Sequence, residues 1–198
     1  MNREPSRLEI FLTHLAFLLC GKPVYKAFAD RLPLCGGERV LDFGCGMGTV
    51  AHYAAQKLPH GHLTCLDISA RWLGACRKTL RGHENVHFIR VEAWALSAER
   101  FDVVYCHFVL HELAQRELET VLPALARALK PGGVLVFREP LSRAGKLGTI
   151  KRLAEQSGLC LRDSRVTDVP LMGNALESVY AKPAQGEGEN TRLREAQP

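Results

Sequence analysis

At 198 residues and 22.0 kDa the chain is long enough for one compact domain with a real core. Its 46% hydrophobic and 24% charged residues are those of an average globular domain, which excludes disorder throughout, a collagen-like repeat and a coiled coil. The formal charge of +5, from 26 Lys and Arg against 21 Asp and Glu, is too small to mark a nucleic-acid footprint without clustering.

In chain order, Leu8, Phe11, Leu12, Leu15, Leu18 and Leu19 recur at spacings of three and four, which predicts an amphipathic helix over residues 7–20. The run Leu8 to Cys20 is too short to span a bilayer, carries Glu9 and His14, and has no small-residue cleavage site after it, so no stable membrane insertion is expected. Pro23 opens a second helical stretch that ends before Pro33. From Glu38 the pattern alternates. Arg39 to Phe43 reads as a strand stopped by Gly44, Gly46 and Gly48, with a helix from Thr49 to Lys57; His62 to Asp67 is the second strand and Ala70 to Leu80 its helix. Val86 to Val91 and Phe101 to Cys106 are strands three and four, Glu112 to Leu129 is a crossover helix, and Gly133 to Phe137 is strand five. Strands that read as continuous apolar runs, alternating with helices, predict a doubly wound α/β sheet covered on both faces. Gly145 to Ser157 reads as a further helix. The segments Cys160 to Val166 and Ala175 to Ala181, joined by a short loop with Pro170 and Gly173, are expected to pair antiparallel near the C-terminus. Residues 183–198 read as a disordered tail.

The seven cysteines, Cys20, Cys35, Cys45, Cys65, Cys76, Cys106 and Cys160, lie singly, with no C-x-x-C pair and none of the spacings of a zinc site. They read as reduced thiols of a cytoplasmic protein, most of them beside apolar runs, and no metal is expected.

The turn Gly44-Cys45-Gly46-Met47-Gly48 lets backbone approach a ligand without a Cβ in the way, ahead of a helix with free N–H groups. Its spacing departs from G-x-G-x-x-G, since Thr49 or Ala51 stands where the last glycine would be, which weakens a nicotinamide dinucleotide reading. Asp67 at the end of strand two supplies a two-oxygen acceptor for both hydroxyls of a ribose; an acid there also caps a following helix. Asp42 suits a ligand's ammonium or the loop's own amides.

Val40-Leu41-Asp42-Phe43-Gly44-Cys45-Gly46-Met47-Gly48 resembles the first motif of the class I S-adenosylmethionine-dependent methyltransferases. The acid Asp67, the pair Glu92-Ala93, the run Phe101-Asp102-Val103-Val104 and the turn Lys130-Pro131-Gly132-Gly133 follow in the family's order, over about residues 35–182. The resemblance implies a Rossmann-like seven-stranded sheet, mainly parallel, with S-adenosylmethionine as cofactor. It implies that Asp42 and the loop Gly44, Cys45, Gly46 and Gly48 hold its methionine part, Asp67 its ribose and Ile68 its adenine face. Glu92 and Ala93 would meet the adenine edge, although Glu92 stands where Asp is usual and also reads as a solvated acid, and His107 would lie against the sulfonium.

Residues 1–34 are expected to form a helical lid over a methyltransferase domain at 35–182, with Tyr25 reaching the cofactor from the lid. The lid's apolar residues point to a small, partly apolar acceptor reacting through O, S, N or C. His107 and His111 in the turn after strand four are the candidate catalytic residues, His111 as general base or orienter, or else only as a helix-start residue. His107 with His111 lacks a third metal ligand. Tyr105-Cys106-His107-Phe108 is not the Asn/Asp-Pro-Pro-aromatic signature of amide-nitrogen methylases. The basic clusters around Arg71 to Arg90 and Arg138 to Arg152 read as solvated helix faces, so nucleic acid is not the expected partner. Two other readings are a non-catalytic cofactor-binding regulatory or scaffold protein, and a methyltransferase acting on RNA or protein.

Overall fold

The computed structural model describes residues 4–90, 96–170 and 173–184. The apolar runs form one seven-stranded sheet: β1 (Arg39–Phe43), β2 (His62–Leu66), β3 (Val86–Ile89), β4 (Phe101–His107), β5 (Leu129–Pro140), β6 (Cys160–Val169) and β7 (Gly173–Ala181), in the order β3-β2-β1-β4-β5-β7-β6. β1 pairs in parallel with β2 and β4, and β5 in parallel with β4; β7 inserts antiparallel between β5 and β6.

Side chains of β1 alternate between two cores. Val40 packs with Ala51 and Leu73, from helices α3 (Thr49–Gln56) and α4 (Ala70–Thr79), whereas Leu41 packs with Leu118 and Ile150, from α5 (Gln115–Ala128) and α6 (Ala144–Gln156) on the opposite face. The chain leaves β1 toward β2 and β3, then returns to β4 on the other side. Strand order therefore reverses at β1, and a crevice opens outside the carboxyl ends of β1 and β4, the place where such sheets bind ligands.

Three local departures from the sequence reading have physical causes. The Lys130-Pro131-Gly132-Gly133 turn is a bulge inside β5: Leu129 already pairs with Phe101, the ladder resumes at Val134 opposite Val103, and Gly132 takes φ +78°. Residues 110–112 form a 3-10 turn rather than the start of α5, which begins at Gln115. β6 and β7 extend to Val169 and from Gly173, consuming most of the expected loop.

The N-terminal helices depart most. α1 (Arg7–Ala16) is capped by Ser6, whose Oγ accepts the Glu9 N–H at 3.0 Å, and a π-helical turn, Phe17–Gly21, joins it to α2 (Lys22–Arg31). Phe28 and Ala29 of α2, with Leu32, belong to the core beside β1 and β2, so this helix is built into the domain. α1 turns its apolar stripe outward: Leu8 is 65% exposed and Phe11 60%, while Glu9 and Thr13 face the crevice. Its orientation is set by anchors at its ends rather than by its hydrophobic face.

Candidate active site

The crevice is a cavity of about 680 Å³, walled by the glycine loop, the end of β2, the end of β4 and the inner face of α1. It falls within the range of small-molecule sites, about 300–1,000 Å³. Tyr25, Gly44, Cys45, Gly46, Asp67, Ile68 and His107 all line it, so the structure brings together most of the residues singled out from the sequence.

Gly44 and Gly46 both have positive φ, +74° and +52°, but their surroundings differ. A Cβ on Gly44 would lie 2.3 Å from Val109 Cγ2, whereas a Cβ on Gly46 would meet nothing within 4 Å. The loop is thus packed from behind at Gly44 and open to the cavity at Gly46. Asp67 braces it: Oδ2 accepts the Gly46 N–H at 3.0 Å and Oδ1 the Ser69 N–H at 2.9 Å. Burial raises the Asp67 pKa, against these hydrogen bonds. Each oxygen uses one acceptor site on the backbone and keeps capacity for a ligand hydroxyl. Ile68 beside it is 39% exposed.

Two glycine-motif residues stand apart from the cavity. Gly48, at φ +80°, is the N-cap of α3, and a Cβ there would meet Cys76 Sγ at 2.7 Å. Asp42 is buried beneath the loop, beside Cys65 and Tyr105 in the strand register, with Oδ2 lacking a hydrogen bond. Burial holds its pKa well above the carboxylate range. The structure thus gives Asp42 neither the loop amides nor a place on the cavity wall.

At the end of β4, Phe108 adopts φ +55°, a conformation uncommon for a bulky side chain and a sign of local strain at a site. His107 is enclosed by Tyr25, Phe28 and Phe108, with ring centroids 5.3, 4.8 and 4.5 Å away. Burial, then the Arg138 guanidinium 3.5 Å from Nε2, push its pKa well below the ordinary histidine value, and the imidazole is neutral at working pH. Burial likewise raises the Tyr25 phenol.

The candidate base His111 does not line the cavity. Its Nδ1 lies 2.5 Å from Oε2 of Glu139, a fully buried acid on β5, and this partner turns the ring into the wall. Glu139 also accepts the N–H groups of Val109 (3.1 Å), Leu110 (2.8 Å) and His111 (3.2 Å), which is why this segment forms a tight turn and α5 starts late. His111 Nε2 stands 3.6 Å from Glu112, which does line the cavity. Glu92 and Ala93 lie outside the described residues, as does the expected tail from residue 185 onward.

Sequence reading missed Glu139, and the signal available was faint: an acid at the end of an otherwise apolar strand five. It also missed Glu4, Glu9, Trp72 and Arg90, which reach the cavity only through tertiary placement. Glu4 accepts from Ser69 Oγ at 2.5 Å and from the Ala70 and Arg71 N–H groups at 3.0 and 3.2 Å, so it caps α4 from 66 residues away along the chain. Arg71 Nη1 returns a hydrogen bond to the Pro5 carbonyl at 2.9 Å.

Residues 41–135 match a family model described as a methyltransferase domain. Trans-aconitate 2-methyltransferase of Paracidovorax citrulli is 33% identical over 123 residues, covering 62% of this chain and 46% of that protein. Malonyl-[acyl-carrier protein] O-methyltransferase of Enterobacter lignolyticus is 33% identical over 113 residues, covering 56% of this chain and 42% of that protein. The chain therefore spans less than half the length of these two curated relatives. Among solved structures, N-methyltransferase NodS from Bradyrhizobium japonicum with S-adenosyl-L-homocysteine superposes with a TM-score of 0.69 at 22% identity, over 84% of this chain and 90% of that one, which shows a shared fold. No helix among the described residues is long and apolar enough to cross a membrane. The matched region runs from β1 into β5 and carries the motif glycines and Asp67, so residues 41–135 of the chain are similar to a methyltransferase domain, on the sheet order described above.

Proposed function

We propose that the protein transfers a methyl group from S-adenosylmethionine to a small acceptor, neutral or cationic, held between the end of β4 and the inner face of α1. The observation that carries this reading is the convergence of the open Gly46 turn, the Asp67-Ile68 edge and the aromatic end of β4 on one cavity.

The residues present fit the cofactor. The space beside Gly46 that no side chain fills receives its backbone-sized part, the remaining acceptor sites of Asp67 take ribose hydroxyls, and Ile68 offers an apolar face to the adenine. When bound, S-adenosylmethionine supplies an electrophilic methyl group on a positively charged sulfur. His107, kept neutral, would add no positive charge beside a cationic group bound there, and Tyr25 and Phe108 would exclude water around it.

Charge narrows the acceptor. Among the described residues, Glu4, Glu9, Asp67 and Glu112 line the cavity against a single guanidinium, Arg90, whose Nε is already bonded to the Ile68 carbonyl at 3.0 Å. The acceptors named for the two relatives, trans-aconitate and malonyl-acyl-carrier protein, carry carboxylates. A cavity of this sign disfavours such groups and favours an amine or a neutral hydroxyl or thiol, held by Glu9 and Glu112. The partly apolar character of the acceptor now rests on Tyr25, Trp72 and Phe108, because the leucines of α1 face outward. His111 acts as a positioning residue for Glu112.

A transfer assay with methyl-labelled cofactor tests this, run against matched sets of small amines, neutral hydroxyl and thiol compounds, and polycarboxylates. Labelled product from the first two sets, with polycarboxylates at background, is expected. Selective labelling of polycarboxylates would overturn the charge argument, and labelling of RNA or protein alone would overturn the small acceptor.

A further inference from the structure

Directly behind the glycine loop lies a cluster that the methyltransferase reading does not use. Cys45 of the loop, Cys65 of β2 and Cys76 of α4 are all buried, 7%, 0% and 0% exposed, and their three Sγ atoms lie within 4.8 Å of one another. They are 20 and 11 residues apart in sequence, which is why spacing rules find no site; the fold assembles it. Asp42 pairs with Cys65 in the β1–β2 register on the same face of the sheet, and its carboxylate stands outside the group of three sulfurs.

We infer that Cys45, Cys65 and Cys76 form a three-thiolate binding site for a thiophilic metal ion, Zn²⁺. Soft thiolates select d10 ions such as zinc and copper(I). Zn–S bonds of about 2.3 Å in a tetrahedron place sulfurs about 3.8 Å apart, so the three thiols need to close by no more than about 1 Å. Charge separates the two ions. Three thiolates leave a net charge of −1 around Zn²⁺ but −2 around copper(I), and a buried site penalises the larger charge. An entry path exists, because Cys45 also lines the cavity. An ion here would tie the cofactor loop, β2 and α4 together at the point where Gly48 packs against Cys76. The inference does not depend on which acceptor, or whether any acceptor, is methylated.

The experiment is titration of the full chain, reduced and freed of metal, with Cd²⁺ as spectroscopic probe and Zn²⁺ in competition with a chromophoric chelator. The expected result is a sulfur-to-metal charge-transfer band that saturates at one equivalent and is displaced by Zn²⁺. Cys76→Ala and Cys65→Ala should each weaken binding on the order of a hundredfold or more, while the exposed Cys35→Ala and Cys160→Ala leave it unchanged. Circular dichroism checks that the variants fold. Should a core variant unfold, X-ray absorption of the Zn²⁺-loaded parent decides: a shell of three sulfurs supports the site, and a shell of nitrogen and oxygen alone overturns it. Absence of the band, or a band indifferent to Cys76→Ala, also overturns it.

Discussion

Asp67 shows how one side chain serves fold and site together. It accepts backbone N–H groups from Gly46 and Ser69, and so fixes both the glycine turn and the start of α4. Asp67→Ala is expected to weaken cofactor binding by roughly 2–3 kcal/mol, on the order of thirty- to a hundredfold, measured by calorimetry on folded protein. An unchanged dissociation constant would leave Asp67 only its role as a brace. His107 carries a pH signature. Its folded-state pKa lies well below the unfolded value near 6.5, so on acidification the unfolded chain takes up a proton that the folded one refuses, and stability falls as pH drops below about 6.5. With at most about 1.4 kcal/mol per pH unit for one proton, His107→Gln should remove roughly 1 kcal/mol of the stability difference between pH 7.5 and 5.5 in denaturant titrations. An identical pH dependence in the variant would mean that His107 protonates freely in the folded protein. At this scale the sequence reads unevenly. Gly44, Gly46, Asp67 and His107 are legible because strand ends and turns fix where they stand, whereas Asp42, one residue before Phe43 on the same strand, points into the sheet's covering layer and away from the cavity.

The turn between β4 and α5 is held by a single acid. Glu139 satisfies three backbone N–H groups and His111, in a place where no water reaches. Glu139→Ala would leave these donors unpaired and should cost roughly 3 kcal/mol or more in unfolding free energy, with Glu139→Gln recovering part of it. A loss below about 1 kcal/mol would show that the turn stands without the acid. The strands β1 to β4 and the helices between them are legible from apolar runs and periodicity, because each local pattern agrees with its place in the sheet. Where side chains from distant elements decide, the pattern misleads. Glu139 delays α5, the bulge at Gly132 hides the start of β5, and Glu4 docked on α4 sets α1 with its leucines outward.

Across the whole molecule, the N-terminal helices are joined to the far side of the sheet through one carboxylate. Glu177 of β7 accepts two hydrogen bonds from Arg31 of α2, both at 2.8 Å, and two from Arg138 of β5, at 3.1 and 2.9 Å, with Arg165 of β6 at 3.1 Å. Burial pushes the Glu177 pKa up, but the Arg31 hydrogen bonds and the Arg138 charge outweigh it and hold the group ionised. Arg138 in turn donates to the Val24 carbonyl at 3.3 Å, beside Tyr25 and His107. Glu177→Gln leaves the buried Arg138 without its counter-charge and should destabilise the protein by roughly 3–5 kcal/mol in thermal and denaturant unfolding, while a loss below about 1 kcal/mol would show the network to be dispensable. The network is invisible in the sequence, since its members lie on four elements scattered between residues 31 and 177. Whether the cavity so framed takes S-adenosylmethionine is decided by calorimetric titration of the full chain with S-adenosylmethionine and S-adenosylhomocysteine. Binding of both at one site per chain, weakened together in Asp67→Ala and untouched by NADH, is the expected result; no heat with either compound, or binding of NADH in their place, would contradict it.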